Sequence, residues 1–412
     1  MSACGTPARA VVLLATLTSV VSFSAPAGLL GLRSSKGLAA CWGSGLGKPH
    51  SSQYSSAARL AASRGGQGPG RRRAGALSLV SEGGRKFQFV PHGQEYSGPE
   101  PSICADGLVE GTTLQLTHWQ NNKTPAEYKE DLSTEIALRW SKLLDEDDQE
   151  WADATVVNNH FDTDGLMTVW ALLHPKLAKK WASRMVSAAA AGDFLEWGLG
   201  DAGVMLDIAF TRLGEEAGSD EAAYETLLPR VEEFLMGIEG MDHLWKEELA
   251  ELHEAFDLVA DGAVVCSRVS DDGGSYSHAS GSIGDIGIMV HPAGVAASPG
   301  LVVSRTFPQT MPGLGKGVAR ILVATQRSEQ LGGGFSYIYE RPAYAWAETV
   351  YRPTIREADA AAIQEVLGGE WTTKNLRGMT SIVMTVGAVQ TAPEEMARLL
   401  IGAERSLLTR LA

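Results

Sequence analysis

Residues Asp153 to Leu173 read DATVVNNHFDTDGLMTVWALL, a strand-like run followed by a cluster of ligand-type residues and a helical pattern. A short β-like run, Thr155 to His160, leads through Asp162 and Asp164 to Gly165, where an apolar helical pattern begins and continues to His174. Side chains at i, i+2 and i+4 of an extended segment project to one side, so His160, Asp162 and Asp164 converge if the chain stays extended to Asp164. Gly165 then permits a sharp turn into a helix whose N-terminal amides favour anions. Carboxylates plus imidazole suit Mn²⁺, Mg²⁺, Fe²⁺ or Zn²⁺, and two such ions ~4 Å apart can hold both the attacking and the leaving oxygen of a phosphoryl displacement. The same residues also make an ordinary strand-to-helix turn with an Asp N-cap. A metal site and a capped turn therefore stand side by side as readings of one segment.

Working outward, strands continue to alternate with helices. Thr113 to Trp119 (TLQLTHW) reads as a strand ending in His118. Thr124-Pro125-Ala126-Glu127 places a Thr N-cap, a Pro at the first helical position and a Glu three residues after the cap, which predicts a helix to about Leu144. Asp201 to Ala260 is helical in pattern throughout, with its charge on solvated faces. Residues 82–260 are thus expected to form an α/β domain with a largely parallel sheet, binding ligands beyond the carboxyl ends of its strands. Beyond Asp261, Gly-rich turns separate β-like runs at Ala263 to Val269, Asp285 to Val290, Val318 to Thr325, Phe335 to Glu340 and Tyr344 to Tyr351. Helical patterns follow at Ile355 to Leu367 and Pro393 to Leu411, so residues 261–412 read as a smaller α+β domain.

Other side chains also offer chemistry, each with a plainer structural reading. His118, at a strand end that could neighbour the His160 strand, is a candidate for metal or phosphate and equally a packed, hydrogen-bonded histidine. Asp193 would reach the cluster if Arg184 to Ala190 were a short buried strand, although alanine favours helix. Asp131 and Glu135, one turn apart, read as surface residues more than as a carboxylate pair. Asp201, Asp207, His253 and Glu254 lie in helical context and read as structural. Tyr276, His278, Asp285 and His291 could line a cleft between the domains. Pro312 to Gly317 lacks the Ser or Thr of a phosphate-binding loop, and Gly332 to Gly334 reads as a hairpin loop.

The front of the chain has a different chemistry. No acidic residue precedes Glu82, whereas nine Lys and Arg do, so the first 81 residues carry +9. Of 35 basic and 49 acidic residues in all, the remainder keeps 26 basic ones and a charge of −23. Ala10 to Val21 is an apolar run of signal-peptide length behind Arg9, with Val20 and Ser22 suiting cleavage before Phe23. Residues 1–22 and the Ser-, Arg- and Gly-rich stretch 23–81 resemble the bipartite presequences of algae with secondary plastids; simple secretion is the alternative. The acidic remainder argues against a long nucleic acid as partner. No later segment is apolar enough to span a membrane. Only Cys104 and Cys266 lie beyond the leader, too far apart for a zinc motif.

The stretch VVNNHFDTDGLMTVWALL resembles the first motif of the DHH phosphoesterase superfamily, a strand ending in His-x-Asp-x-Asp-Gly before a helix. Together with LTHWQNNKTPAEYKEDLSTEIALRW it also looks like an uncharacterised family of bacterial and algal proteins with no assigned activity. The superfamily resemblance implies two domains around a cleft, usually two Mn²⁺ ions, and metal binding by His160, Asp162 and Asp164. There is no Asp-His-His triplet; Asp242-His243-Leu244 is the nearest sequence. The expectation is a divalent-metal hydrolase, with Mn²⁺ before Mg²⁺, acting on a small phosphoester or phosphoanhydride. His160, Asp162 and Asp164 would bind metal, with Asp193 bridging or orienting and His118 contacting metal or phosphate. The alternative is a regulatory protein that binds a metal or nucleotide without turnover.

Overall fold

The computed structural model describes residues 84–144, 150–198, 200–271, 282–293, 318–375 and 381–411. The expected leader, the Pro312 to Gly317 cluster, Tyr276 and His278 lie outside these residues.

Four short strands form the first sheet: β1 (Lys86–Phe89), β2 (Ser102–Ala105), β3 (Leu114–Leu116) and β4 (Thr155–Asn158). They lie in the order β1-β4-β2-β3 and every pairing is parallel. β2 is buried at all four positions and β4 at its last three, as expected of parallel strands covered on both faces. The cover is helical: α1 (Ser133–Leu143), α2 (Thr163–Leu173), α3 (Pro175–Asp193), α4 (Asp201–Ala217), α5 (Asp220–Leu227), α6 (Val231–Gly237) and α7 (Asp242–Ala260). All eleven residues of α2 are buried, which explains why Leu166 to Leu173 shows no polar face. Its side chains join Ile103, Leu116, Ile136, Trp140, Val156 and Phe210 in the larger core.

Three expected elements near the site differ, and the helix expected from Ile355 begins only at Ala360. The helix predicted from Thr124 starts at Ser133 instead. The Thr124 hydroxyl accepts the Thr117 N–H at 3.0 Å and donates to the Thr117 carbonyl at 2.8 Å, so it pins the loop after β3 and caps nothing. The first amides of α1 go to Asp164 of α2: Ser133 N–H to Oδ2 at 2.9 Å and Thr134 N–H to Oδ1 at 2.8 Å. A cap supplied by another helix has no local sequence signature. Second, Arg184 to Ala190 belongs to α3 and is not a strand, in keeping with its alanine content. Third, Tyr344 to Tyr351 is not a strand. Ala343–Trp346 makes a 3₁₀ turn, and the Val350 and Tyr351 amides donate to Asp131 Oδ1 rather than to a neighbouring strand.

The second sheet has the order β5-β6-β7-β8-β10-β9. Its strands are β5 (Val265–Val269), β6 (Asp285–His291), β7 (Val318–Gln326), β8 (Phe335–Glu340), β9 (Trp371–Asn375) and β10 (Ser381–Thr385). All pairs are antiparallel except β6 with β7. β9 and β10 are additions to the sequence reading. Gly332 to Gly334, each with positive φ, turn the chain from β7 to β8, as the hairpin expectation required. Helices α8 (Ala360–Leu367), capped by Asp359, and α9 (Pro393–Leu411) complete this part. A buried ion pair ties α9 to β7, with Arg320 Nη2 2.9 Å from Glu404 Oε2. No helix among the described residues is long and apolar enough to cross a membrane.

Candidate metal centre

Beyond the carboxyl ends of β2, β3 and β4, six side chains meet. Asp106 follows β2 with φ 56°, a left-handed conformation that aspartate tolerates better than most residues. His118 follows β3, and its imidazole is fixed by Nδ1 donating to the Asp131 carbonyl at 2.8 Å. A carbonyl only accepts, so Nδ1 carries the proton and Nε2 is the atom offered to the cluster. His160 follows β4 and is fixed the same way, with Nδ1 3.0 Å from Asn159 Oδ1. Asn159 Nδ2 donates to the Leu108 carbonyl at 3.0 Å, which sets the amide's orientation and leaves its oxygen facing His160. Asp162 is the N-cap of α2, accepting the Gly165 N–H on Oδ1 at 2.8 Å, while Oδ2 lies 3.0 Å from His160 Nε2. The capped turn and the candidate ligand are thus the same residue seen from two sides.

The six residues fall into two sets that share Asp106. Ligand atoms of Asp106, His118, Asp164 and Asp193 lie within 4.8 Å of one another, as do those of Asp106, His160 and Asp162. Asp106 Oδ1 is 3.6 Å from His118 Nε2, and Oδ2 is 3.2 Å from His160 Nε2. His118 Nε2 is also 3.1 Å from Asp193 Oδ2 and 3.7 Å from Asp164 Oδ2. The expectation that His160, Asp162 and Asp164 act as one set is corrected here. α2 begins at Thr163, so the chain is not extended at Asp164; helical rotation carries that carboxylate to the His118 side. Asp193 arrives at the end of a helix instead of a strand.

Glycine makes this convergence sterically possible. A Cβ on Gly165 would lie 2.7 Å from Asn158 Nδ2 and 3.1 Å from Asp106 Oδ2, and one on Gly107 would lie 2.6 Å from Asn159 Oδ1. Both glycines follow an aspartate of the cluster, letting neighbouring backbone close over it.

Four carboxylates and two imidazoles in a buried space form an electrostatically unfinished group. Both oxygens of Asp106 and the Nε2 atoms of His118 and His160 are buried without a hydrogen-bond partner of acceptable geometry, although they lie close to one another. Burial opposes charge on His118, yet Asp193, Asp164 and Asp106 outweigh it and push its pKa up to about 10. His160 behaves alike: burial is overcome by Asp162 and Asp106, and its pKa rises well above the ordinary value. Burial, then the charge of Asp106, lifts Asp164 to about 7. Asp193 is raised by burial and by Asp162, whereas Asp162 is lowered because His160 outweighs its burial. Protons are therefore held where a cation would otherwise balance the carboxylates. A donor set of aspartate oxygens and imidazole nitrogens, with orphaned atoms pointing inward, fits a divalent ion.

Asp106 went unrecognised in the sequence. β2 is four residues long and only Ile103 in it is β-branched, so no strand is predicted there. The legible signal is an Asp-Gly pair beyond a short buried strand, Asp106-Gly107 directly after β2 and Asp164-Gly165 in the helix start that follows β4. The remaining candidates serve structure. Asp131 is buried, not at the surface, and holds Val350, Tyr351 and Arg352, while Glu135 accepts the Leu132 N–H within its own helix at 3.2 Å. Asp207 accepts the Thr163 hydroxyl at 2.6 Å, and Asp201 lies 3.3 Å from His253 near the surface. Asp285 pairs with Arg268, and His291 ends β6; neither belongs to the cluster.

The fold and this cluster define an α/β protein with a buried Asp/His centre that could bind a metal ion. Residues 85–274 match the model of a family of unknown function, DUF6687, a span that includes the first sheet and all six cluster residues. No curated protein and no solved structure matches the chain. Nothing in these comparisons relates it to the DHH phosphoesterases, so that resemblance rests on the His160 to Gly165 motif.

Proposed function

We propose that the cluster holds one or two divalent cations, Mn²⁺ foremost, and that the protein hydrolyses a phosphoester or phosphoanhydride of a small substrate. The observation that carries this reading is the set of four orphaned ligand atoms on Asp106, His118 and His160. Bound cations would supply Lewis acidity toward a phosphoryl oxygen and a water nucleophile at neutral pH. Asp164, Asp193 and His118 would hold the inner position, Asp162 and His160 the outer one, and Asp106 both. The His160 and Asp162 side chains are 13% and 11% exposed, so substrate would approach from their side, while His118 and Asp164 are closed to water. Asp193, 3.1 Å from His118, would bridge or orient at the inner position. The charge of −23 beyond the leader favours a small substrate over a polynucleotide. The resemblance of His160 to Gly165 to the DHH motif supports phosphoryl chemistry. The leader's composition supports plastid import.

The second reading, a metal- or nucleotide-binding regulator without turnover, is favoured by one observation: both Asp164 oxygens already accept α1 amides, so this carboxylate also holds the fold together. One experiment separates the two. The purified full chain is titrated with Mn²⁺ and assayed on p-nitrophenyl phosphate esters, pyrophosphate and short dinucleotides. Hydrolysis of one of them that requires Mn²⁺ supports the enzyme; Mn²⁺ uptake with no turnover on any of them supports the regulator, and no uptake removes the enzyme and the metal-binding regulator.

A further inference from the structure

Arg352 lies outside the first sheet and touches no cluster residue, yet it grips the supports of two of them. One guanidinium nitrogen pairs with Asp131, whose carbonyl fixes His118 Nδ1. The other side of the fork binds Glu196 through two bonds, Nε to Oε1 at 3.1 Å and Nη2 to Oε2 at 2.6 Å. Glu196 lies three residues beyond Asp193, just past the end of α3. The guanidinium carbon also stands 4.8 Å from the centre of the Phe194 ring, and that ring packs on His118 at 5.8 Å. The same segment contributes Trp346, whose ring meets His118 edge-on at 4.9 Å and whose Nε1 donates to the Asp193 carbonyl at 3.5 Å, while the Glu348 N–H donates to the His118 carbonyl at 2.8 Å.

The strap 343–352 therefore meets His118 and Asp193 and their immediate supports directly and reaches His160 through Trp119, whose ring packs on both Trp346 and His160, and Arg352 is the charge between two buried carboxylates beside His118 and Asp193. We infer that Arg352 is a positioning residue for the inner metal position, setting the orientation of the His118 imidazole and the reach of Asp193. This rests on the reading of the cluster as a divalent-metal centre. Planar bidentate recognition is specific to arginine, so lysine can retain the charge but not the two-sided grip. Partners that orient ligands in this way are typically worth about 10–100-fold in metal affinity.

The test compares the full-length wild type with Arg352→Lys, Arg352→Met and Glu196→Gln. Mn²⁺ affinity is followed by electron paramagnetic resonance, and the ligand field by the visible spectrum of the Co²⁺-substituted protein. The expected result is a loss of about 10-fold or more in affinity for Arg352→Met, with a changed Co²⁺ spectrum and partial recovery in Arg352→Lys. Glu196→Gln, nearly isosteric, should shift the spectrum in the same sense and carries the test if Arg352→Met does not fold. A lowered melting temperature with wild-type affinity and spectrum would overturn the inference while leaving the metal centre intact. A wild type that takes up neither ion would instead remove the metal reading on which it stands.

Discussion

Asp106 Oδ2 lies 3.2 Å from His160 Nε2, joining the ends of two adjacent parallel strands, β2 and β4, through one buried contact. The other oxygen of Asp106 faces His118, so a single carboxylate belongs to both candidate ligand sets. Asp106→Ala is therefore expected to abolish Mn²⁺ binding at both positions, whereas His160→Ala should spare the inner one. Equilibrium dialysis with metal analysis distinguishes these outcomes; equal residual stoichiometry in the two variants would contradict the shared role.

At Asp162 the cap can be separated from the proposed ligand role. Asparagine keeps an Oδ1 for the Gly165 N–H but loses the carboxylate charge, whereas alanine loses both. Without metal, Asp162→Ala should be less stable than Asp162→Asn by about 1 kcal/mol in urea denaturation, the usual worth of an N-cap. Both variants should lose the thermal shift produced by Mn²⁺ at the outer position. A wild-type Mn²⁺ response in Asp162→Asn would leave the capped turn as the whole role of Asp162.

The two histidines and Asp164 set a pH dependence of unusual sign. Asp164 is raised from 3.8 to about 7 and His118 from 6.5 to about 10, so the folded protein retains protons that the unfolded chain releases. Where the native state binds more protons, stability falls as pH rises. The metal-free protein should thus lose stability from Asp164 between about pH 4 and 7, and from His118 between about pH 6.5 and 10. Asp162, lowered by His160, works the other way at the acid end. Metal must displace these protons, so the Mn²⁺-induced rise in melting temperature should grow over the range in which the metal-free protein weakens. Melting curves from pH 5 to 9 with chelator and with Mn²⁺ test both slopes, and parallel curves would contradict the coupling.

What the sequence discloses of this site follows from the range of the interactions involved. His160, Asp162 and Gly165 are legible because a strand end, an N-cap and a helix start lie within a few residues and leave a local pattern. His118 and Asp193 are recognisable as candidates, but the partners that fix them, the Asp131 carbonyl and the strap carrying Trp346, depend on tertiary placement. Asp106 is hidden because β2 gains its stability from burial between β3 and β4, not from β-branched residues. The α1 start fails for the same kind of reason: Thr124 has the side chain of a cap, but Asp164 from α2 supplies the acceptors. In the second part, β5 to β8 are announced by apolar runs between glycines, whereas the Tyr344 to Tyr351 run has strand composition but gives its Val350 and Tyr351 amides to the Asp131 side chain.

Gly165→Ala offers a final test, in which propensity and packing predict opposite signs. Gly165 lies in the first turn of α2, where alanine ordinarily stabilises a helix by up to about 1 kcal/mol. Here the added methyl would meet Asn158 Nδ2 at 2.7 Å, the Tyr224 hydroxyl at 2.9 Å and Asp106 Oδ2 at 3.1 Å. Asn158 Nδ2 donates to that hydroxyl at 2.9 Å, and Tyr224 is wedged against Phe87 and Phe161, so none of the three neighbours can retreat without disturbing another contact. Overpacking of this kind typically costs about 1–3 kcal/mol. Gly165→Ala should therefore destabilise the protein in urea denaturation and, by displacing Asp106, weaken Mn²⁺ binding at both positions. Stabilisation with unchanged Mn²⁺ affinity would show that the backbone at Gly165 does not need its close approach to Asp106.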